Sequence, residues 1–166
     1  MKFNSKNLIK IINILKKNGI IGLPTETVYG LAGNAYSNSA IKKIFKVKRR
    51  LKKNPLIIHY YNLNRAKKDV LLNRKFNKIY KKFSPGPITY IVKKKNNSKI
   101  KPLATGNLKT VGIRFPKNKI IRKLLKKLEF PLAMPSANKS SGVSPVKPLD
   151  VFEEFNNKIK VVDGGI

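Results

Sequence analysis

The sequence predicts an α/β domain, a twisted mixed β-sheet flanked by helices, on three observations. Short apolar runs rich in β-branched residues alternate with stretches of helical periodicity along the whole chain. Prolines and turn residues fall between them too irregularly for a regular doubly wound sheet, which points to mixed strand directions. The chain has 166 residues and 41% hydrophobic content. That suits one domain with its own core, since a chain of about 150 residues buries roughly two thirds of its unfolded surface.

The elements follow in order. Residues 5–18 predict a helix, with Leu8, Ile11, Ile12 and Leu15 on one face, Ser5 as the cap and Gly19 as the stop. "IIGLP" (20–24) is a short apolar run closed by Pro24, the pattern of a buried strand. "TVYGLAGNA" (27–35) reads as a second extended segment whose two glycines let another backbone come close. Residues 38–48 predict a helix with Ile41, Ile44 and Phe45 inward. "PLIIHYY" (55–61) predicts a strand, and 75–83 a basic helix ended by "SPGP". "ITYIV" (88–92) and "TVGIRF" (110–115) are strands by composition. Between them "KKKNNSKIK" (93–101) is the most polar stretch and predicts a mobile surface loop. Residues 118–128 predict a helix, "PLAMPSAN" (131–138) a short strand entering a loop, 148–156 a helix with three of the seven acids, and "IKVVDGG" (159–165) a last strand.

Composition removes several chemistries. The absence of cysteine excludes disulfides, thiolate metal sites and cysteine nucleophiles. The one histidine, His59, ends an apolar strand, where it suits a structural role or a ligand at a strand end. Histidine and cysteine are too scarce for catalytic zinc, and neither G-x-x-x-x-G-K-[ST] nor G-x-G-x-x-G occurs. No apolar run reaches the roughly 18 residues of a spanning helix. The first twenty residues read as an amphipathic helix without a cleavage site, so a soluble cytoplasmic protein is expected. The net charge of +31 would attract phosphates. Yet the lysines are spread over every segment, which fits compositional drift as well as a nucleic-acid surface. An enzyme with this composition would work mainly by positioning and by cationic stabilisation of anions.

Against that charge, Glu26 is the only acid in the first sixty-eight residues. It lies in "PTETVYG" (24–30), one of three segments that place polar residues at the ends of apolar elements. The others are "KVKRRLKKNPL" (46–56) and "PSANKSSGVSP" (135–145). Together they resemble the YrdC-like family, the threonylcarbamoyl-AMP synthases. The family's Lys-x-Arg and later Ser-x-Asn fall on Lys48 and Arg50, and on Ser136 and Asn138. "PTETVYGL", "NPLIIH", "SPGPITYIV", "TVGIRFP" and "PLAMPSANKSSG" match in the family's order over nearly the whole chain.

The resemblance implies a single YrdC-like domain over residues 1–166, with a concave basic cleft. It implies an L-threonylcarbamoyladenylate synthase, which turns L-threonine, bicarbonate and ATP into threonylcarbamoyl-AMP and pyrophosphate for tRNA modification. Partner proteins would transfer the product to tRNA, and Mg2+ would arrive on the ATP phosphates with no protein ligand. Lys48 and Arg50 become catalytic and ATP-binding, joined on the nucleotide by Ser136 and Asn138. Thr25, Thr27, His59, Thr110 and Arg114 become threonine-binding. Every reactant is anionic, which suits arginine and lysine. Read without the family, Lys48 and Arg50 also fit a solvated helix end, Ser136 and Asn138 an ordinary turn, and Arg114 a structural ion pair. Glu26 either accepts from the substrate amine or from a backbone or arginine donor, or braces a neighbouring element. Tyr29 fits the core as well as a substrate contact. Two departures stand out. Leu51 replaces the proline that usually follows Lys-x-Arg, and "VVDGGI" stops short of the family's Ser-Thr segment. A non-catalytic RNA-binding protein with a basic groove is the alternative reading.

Overall fold

Asparagine and serine side chains start most of the helices. The computed structural model describes residues 1–164. Helix α1 spans Ser5–Lys16, and its cap is Asn4, whose side chain accepts from the Asn7 N–H, rather than Ser5. Strands β1 (Ile21–Leu23) and β2 (Gly30–Asn34) follow, then α2 (Asn38–Lys48), capped by Ser37. Strand β3 is only Ile58–His59. Helices α3 (Leu63–Ala66) and α4 (Arg74–Phe83) start on Asn62 and Asn73. Strands β4 (Thr89–Lys93) and β5 (Thr110–Arg114) flank a 3-10 turn at Pro102–Thr105. Helix α5 (Lys119–Lys127), β6 (Leu132–Ala133) and α6 (Pro148–Glu154) complete the order. Each cap satisfies N–H groups that a helix start leaves without a partner.

The six strands form one mixed sheet in the order β1-β2-β6-β3-β5-β4. Only β3 and β5 run parallel; the other neighbours are antiparallel. The mixed sheet expected from the irregular turns is therefore present. Its two faces bury separate clusters. One gathers Leu31, Ile44, Ile58, Ile113 and Phe115 beneath α2 and α4. The other packs Ile11 and Leu15 of α1 against Ile121, Leu124 and Leu125 of α5. Arg65 holds the far end of α5 by donating to the carbonyls of Leu125, Lys126 and Leu128.

Two expectations are corrected. The final segment does not form a ladder. Val161 makes an isolated parallel bridge to Gly22, and Asp163 one to Lys2, while Gly165 lies outside the described residues. The polar loop is not free. Asp69, 1% exposed, accepts from the Ser98 hydroxyl at 2.9 Å and the Lys99 N–H at 3.0 Å. The same carboxylate accepts from the phenols of Tyr36 and Tyr60. With Ile100 buried below, the loop is anchored to the core at its middle. Composition reports polarity and cannot report that a distant carboxylate will collect it.

Asp69→Ala would strand four donors, the buried Tyr60 hydroxyl and three part-buried groups, which are expensive to leave unpaired. The expected loss is about 3 kcal/mol in urea unfolding, larger than for truncation of any exposed lysine in the loop.

Candidate functional site

A hollow of about 270 Å³ opens on one face of the sheet, lined by Thr25, Thr27, Arg50, His59, Arg114 and Ser136 among others. Four stretches remote in sequence meet there. The wall nearest the sequence start is the 24–29 loop between β1 and β2. Thr25 shapes it. Its Oγ1 donates to the Val28 carbonyl at 2.6 Å and accepts from the N–H groups of Thr27 and Val28. The two threonine hydroxyls lie 3.0 Å apart. Such hydroxyl-to-backbone bonds fix a tight turn without regular structure.

The opposite wall is the 134–138 stretch after β6. It is pressed against residues 29–31 by hydrogen bonds from Leu31 N–H to the Pro135 carbonyl and from Ala137 N–H to the Tyr29 carbonyl. Gly30 permits this approach, because a Cβ there would sit 2.4 Å from the Met134 side chain. The two-glycine pattern that predicted a close backbone approach is met at this point. Tyr29 is buried in the core, accepts at its hydroxyl from the Gly164 N–H, and also contributes to the lining of the hollow.

The third contribution comes from the end of α2. The helix stops in a Schellman arrangement, with Arg49 N–H on the Lys46 carbonyl and Arg50 N–H on that of Phe45. Arg49 takes a left-handed φ of 52°. Lys48 falls on the buried face of α2 with Ile41, Ile44 and Phe45, and the reversal after it carries Arg50 to the hollow. Arg50 lines the hollow, its guanidinium fixed by the carbonyls of Asn54 and Pro55, and no carboxylate among the described residues pairs with it. Lys48 is 1% exposed and points into the protein. Its Nζ donates to the carbonyls of Ser136, at 2.7 Å, and Asn138. Burial first, and then the Arg50 charge, lower its pKa to about 8. Lys48 therefore does not line the hollow as a solvated helix end or as a free phosphate ligand would. It fastens the Lys-x-Arg segment to the Ser-x-Asn turn.

Asn138 is also turned inward. Its Nδ2 donates to the carbonyls of Lys139 and Gly142, while its Oδ1 is buried without a hydrogen-bond partner among the described residues. It borders an adjoining hollow with Asp150, Glu153 and Glu154 rather than the one containing Ser136.

The fourth contribution is the β3–β5 pair, where His59 stands beside Arg114 in parallel register. His59 is 2% exposed, and its Nδ1 lies 3.3 Å from the Ile57 carbonyl. Burial, reinforced by the neighbouring Arg114 charge, lowers its pKa to about 4, so the ring is neutral at physiological pH. Arg114 donates from Nε and Nη2 to Glu26 Oε1, at 3.2 and 2.8 Å, and from Nη2 to the Thr27 hydroxyl at 3.2 Å. The other Glu26 oxygen accepts from the N–H groups of Lys117 and Asn118, just before α5. Burial pushes the Glu26 carboxyl up, but the hydrogen bonds and charge of Arg114, with the backbone N–H groups, outweigh it and hold it below the usual value. Thr110 is not part of this arrangement. It sits at the other end of β5, about 13 Å from Arg114 at the usual strand rise, and borders a separate hollow with Lys93 and Lys109.

The apolar lining, Val28, Ile57 and Met134, was not singled out from sequence, because single apolar residues at strand ends resemble core. Among the described residues no helix is long and apolar enough to cross a membrane, and no three His, Cys, Asp or Glu side chains cluster as metal ligands.

Comparison with known proteins adds a family model, described as Telomere recombination and named for Sua5, YciO and YrdC, which matches residues 13–166. A threonylcarbamoyl-AMP synthase of Pyrococcus abyssi is 39% identical over 156 residues, which cover 91% of this chain and 44% of that protein. One from Histophilus somni is 32% identical, covering 95% of this chain and 86% of its own length. The crystal structure of P. abyssi Sua5 complexed with L-threonine superposes with a TM-score of 0.93 at 34% identity, over 99% of this chain and 49% of that one. The chain thus spans about half the length of the first relatives it matches.

Two pH effects follow. His59 protonates more readily unfolded than folded, so stability falls as pH drops from about 6.5 to about 4. His59→Gln should remove that part of the acid sensitivity, and the lone histidine's NMR titration should give a midpoint near 4. Lys48 also keeps its proton more firmly unfolded, so wild type gains stability relative to Lys48→Met as pH rises from about 8 to 10.5. At neutral pH the variant leaves two carbonyls without their donor and should lose about 2 kcal/mol in urea unfolding.

Proposed function

This chain belongs to the Sua5/YciO/YrdC family, and on that footing we propose that it is an L-threonylcarbamoyladenylate synthase. It condenses L-threonine, bicarbonate and ATP to threonylcarbamoyl-AMP and pyrophosphate for tRNA modification. The observation that carries this reading is the meeting of Arg50, Arg114, His59, the 24–29 loop and the Ser136 turn around one small hollow. Its volume of about 270 Å³ is at the lower edge of ligand pockets. It fits an amino acid, with the nucleotide extending over the rim past Ser136 and toward Asn138.

The charge layout supports a division of labour. The Glu26 carboxylate balances Arg114, so that arginine offers directional hydrogen bonds to the planar carboxylate of threonine. Arg50 has no such counterion among the described residues and supplies full positive charge to the phosphates. Thr27 offers its hydroxyl to a small polar substrate, Thr25 spends its own on holding the loop in shape, and His59 supplies a neutral imidazole beside them. The threonine amine takes up bicarbonate as a carbamate with loss of water. A carbamate oxygen then forms a bond to the α-phosphorus as the bond to pyrophosphate breaks. Arg50 offsets the charge that gathers there. Lys48 acts on this step through the turn that it holds.

Glu26 already accepts four N–H hydrogen bonds, so it is poorly placed to ligate a metal. Mg2+ would be held by the ATP phosphates and water. Residues 1–166 constitute one YrdC-like domain in this reading, located in the cytoplasm, and its product passes to partner proteins that modify tRNA. The named relatives give the RNA-binding alternative no support.

Pyrophosphate release from ATP should require both threonine and bicarbonate. Absence of turnover by the folded protein would overturn the assignment. Arg50→Ala should lower kcat/KM by about a hundredfold or more, with an unchanged circular dichroism spectrum.

A further inference from the structure

Among the described residues Glu26 is the one carboxylate that accepts hydrogen bonds from a cleft arginine, and its geometry is that of a bracket. Oε1 takes two N–H groups of Arg114, and Oε2 takes the N–H groups of Lys117 and Asn118 at 3.2 Å each. One side chain therefore joins a guanidinium on β5 to the start of α5. That helix has no acid in its first turn, and its first residue is Lys119. Glu26 supplies the negative charge that its positive end lacks. The helix start is fixed in turn by the Asn118 side chain, by burial of Ile121 and Leu124 against α1, and by Arg65 at the other end. The bracket is anchored to something rigid.

The donors of Arg114 show what the bracket achieves. Nε and Nη2 are committed to Glu26 and Thr27. Nη1 has no protein partner among the described residues and is not among the buried unpaired atoms, while Arg114 lines the cleft. Held along its Nε–Nη2 edge, the guanidinium plane is restrained, and Nη1 is the nitrogen left for a ligand in the hollow that Arg114 lines.

We infer that Glu26 is the positioning residue for amino-acid recognition: it fixes the plane of Arg114 against the α5 start, so that Nη1 meets the substrate carboxylate already oriented. This rests on the synthase reading for the identity of the substrate. The orientation itself does not. A lone arginine in a cleft of this size would have to be ordered by each substrate molecule. Here the ordering is complete before binding, and misplacement by about 1 Å carries a rate penalty of about a hundredfold.

The test has two arms. The first needs no substrate: ¹⁵N NMR of the Arg114 Nε–H, assigned by its disappearance in Arg114→Lys. It should exchange slowly in wild type and rapidly in Glu26→Ala. The second measures binding of L-threonine and of ATP by calorimetry. Glu26→Ala should weaken threonine about tenfold, and Glu26→Gln, which keeps an acceptor without the charge, about threefold. ATP affinity should change by less than about twofold in both. A residue that merely braced α5 would lower the melting temperature and leave the ratio of threonine to ATP affinity unmoved. Unaltered Arg114 exchange in both variants would overturn the positioning role. So would weakening of both ligands in step. Wild-type protein that binds no threonine would instead sink the synthase reading, with the exchange arm still deciding the geometry.

Discussion

The site depends on one buried ammonium. Lys48 leaves water at the end of α2 and hydrogen-bonds to the carbonyls of Ser136 and Asn138, residues some ninety positions later. A charge taken out of water must be matched by well-placed acceptors, or the group is driven toward neutrality. Two carbonyls match it in part, and its lowered pKa records the remainder. In return the turn that forms one wall is tied to the helix end from which Arg50 follows. The Ser140 N–H on the Lys48 carbonyl adds a second tie. In a chain with 38 basic residues, this lysine is distinguished by burial rather than by charge.

The fold was largely legible, and where it was not the reason is physical. The helix expected at 38–48 matches α2 to the residue, because Ile41, Ile44 and Phe45 repeat on one face. "PLIIHYY" promised a longer strand than the two paired residues of β3. Its ends bond singly instead, Leu56 N–H to the Ala104 carbonyl and Tyr60 N–H to that of Arg114. An apolar run signals burial and does not reveal whether a partner strand runs alongside. Helix α3 was missed for want of length, since four residues carry no periodicity.

The site was legible as a set of segments but not in every side-chain direction. Motif order brought Arg50, Ser136, Thr25, Thr27, His59 and Arg114 to one hollow. Lys48 lies seven residues after Ile41 on the buried stripe of α2, so its inward turn could have been read from the spacing; the path of Arg50 could not, since that depends on the left-handed φ at Arg49. Thr110 shares a strand with Arg114 and faces the same side, yet four residues of strand put it beyond reach. Glu26 was visible as an anomaly of charge. Which of its partners it chose depended on where β5 and α5 lay.

Gly30 limits how this pocket can change. The two walls meet there with no room for even a methyl group beside Met134. Any side chain at that point would act as a wedge, prising the loop at residues 24–29 away from the segment after β6. A broader pocket, by drift or by design, would therefore have to come from trimming Val28 or Ile57, while the seam beside them stays closed.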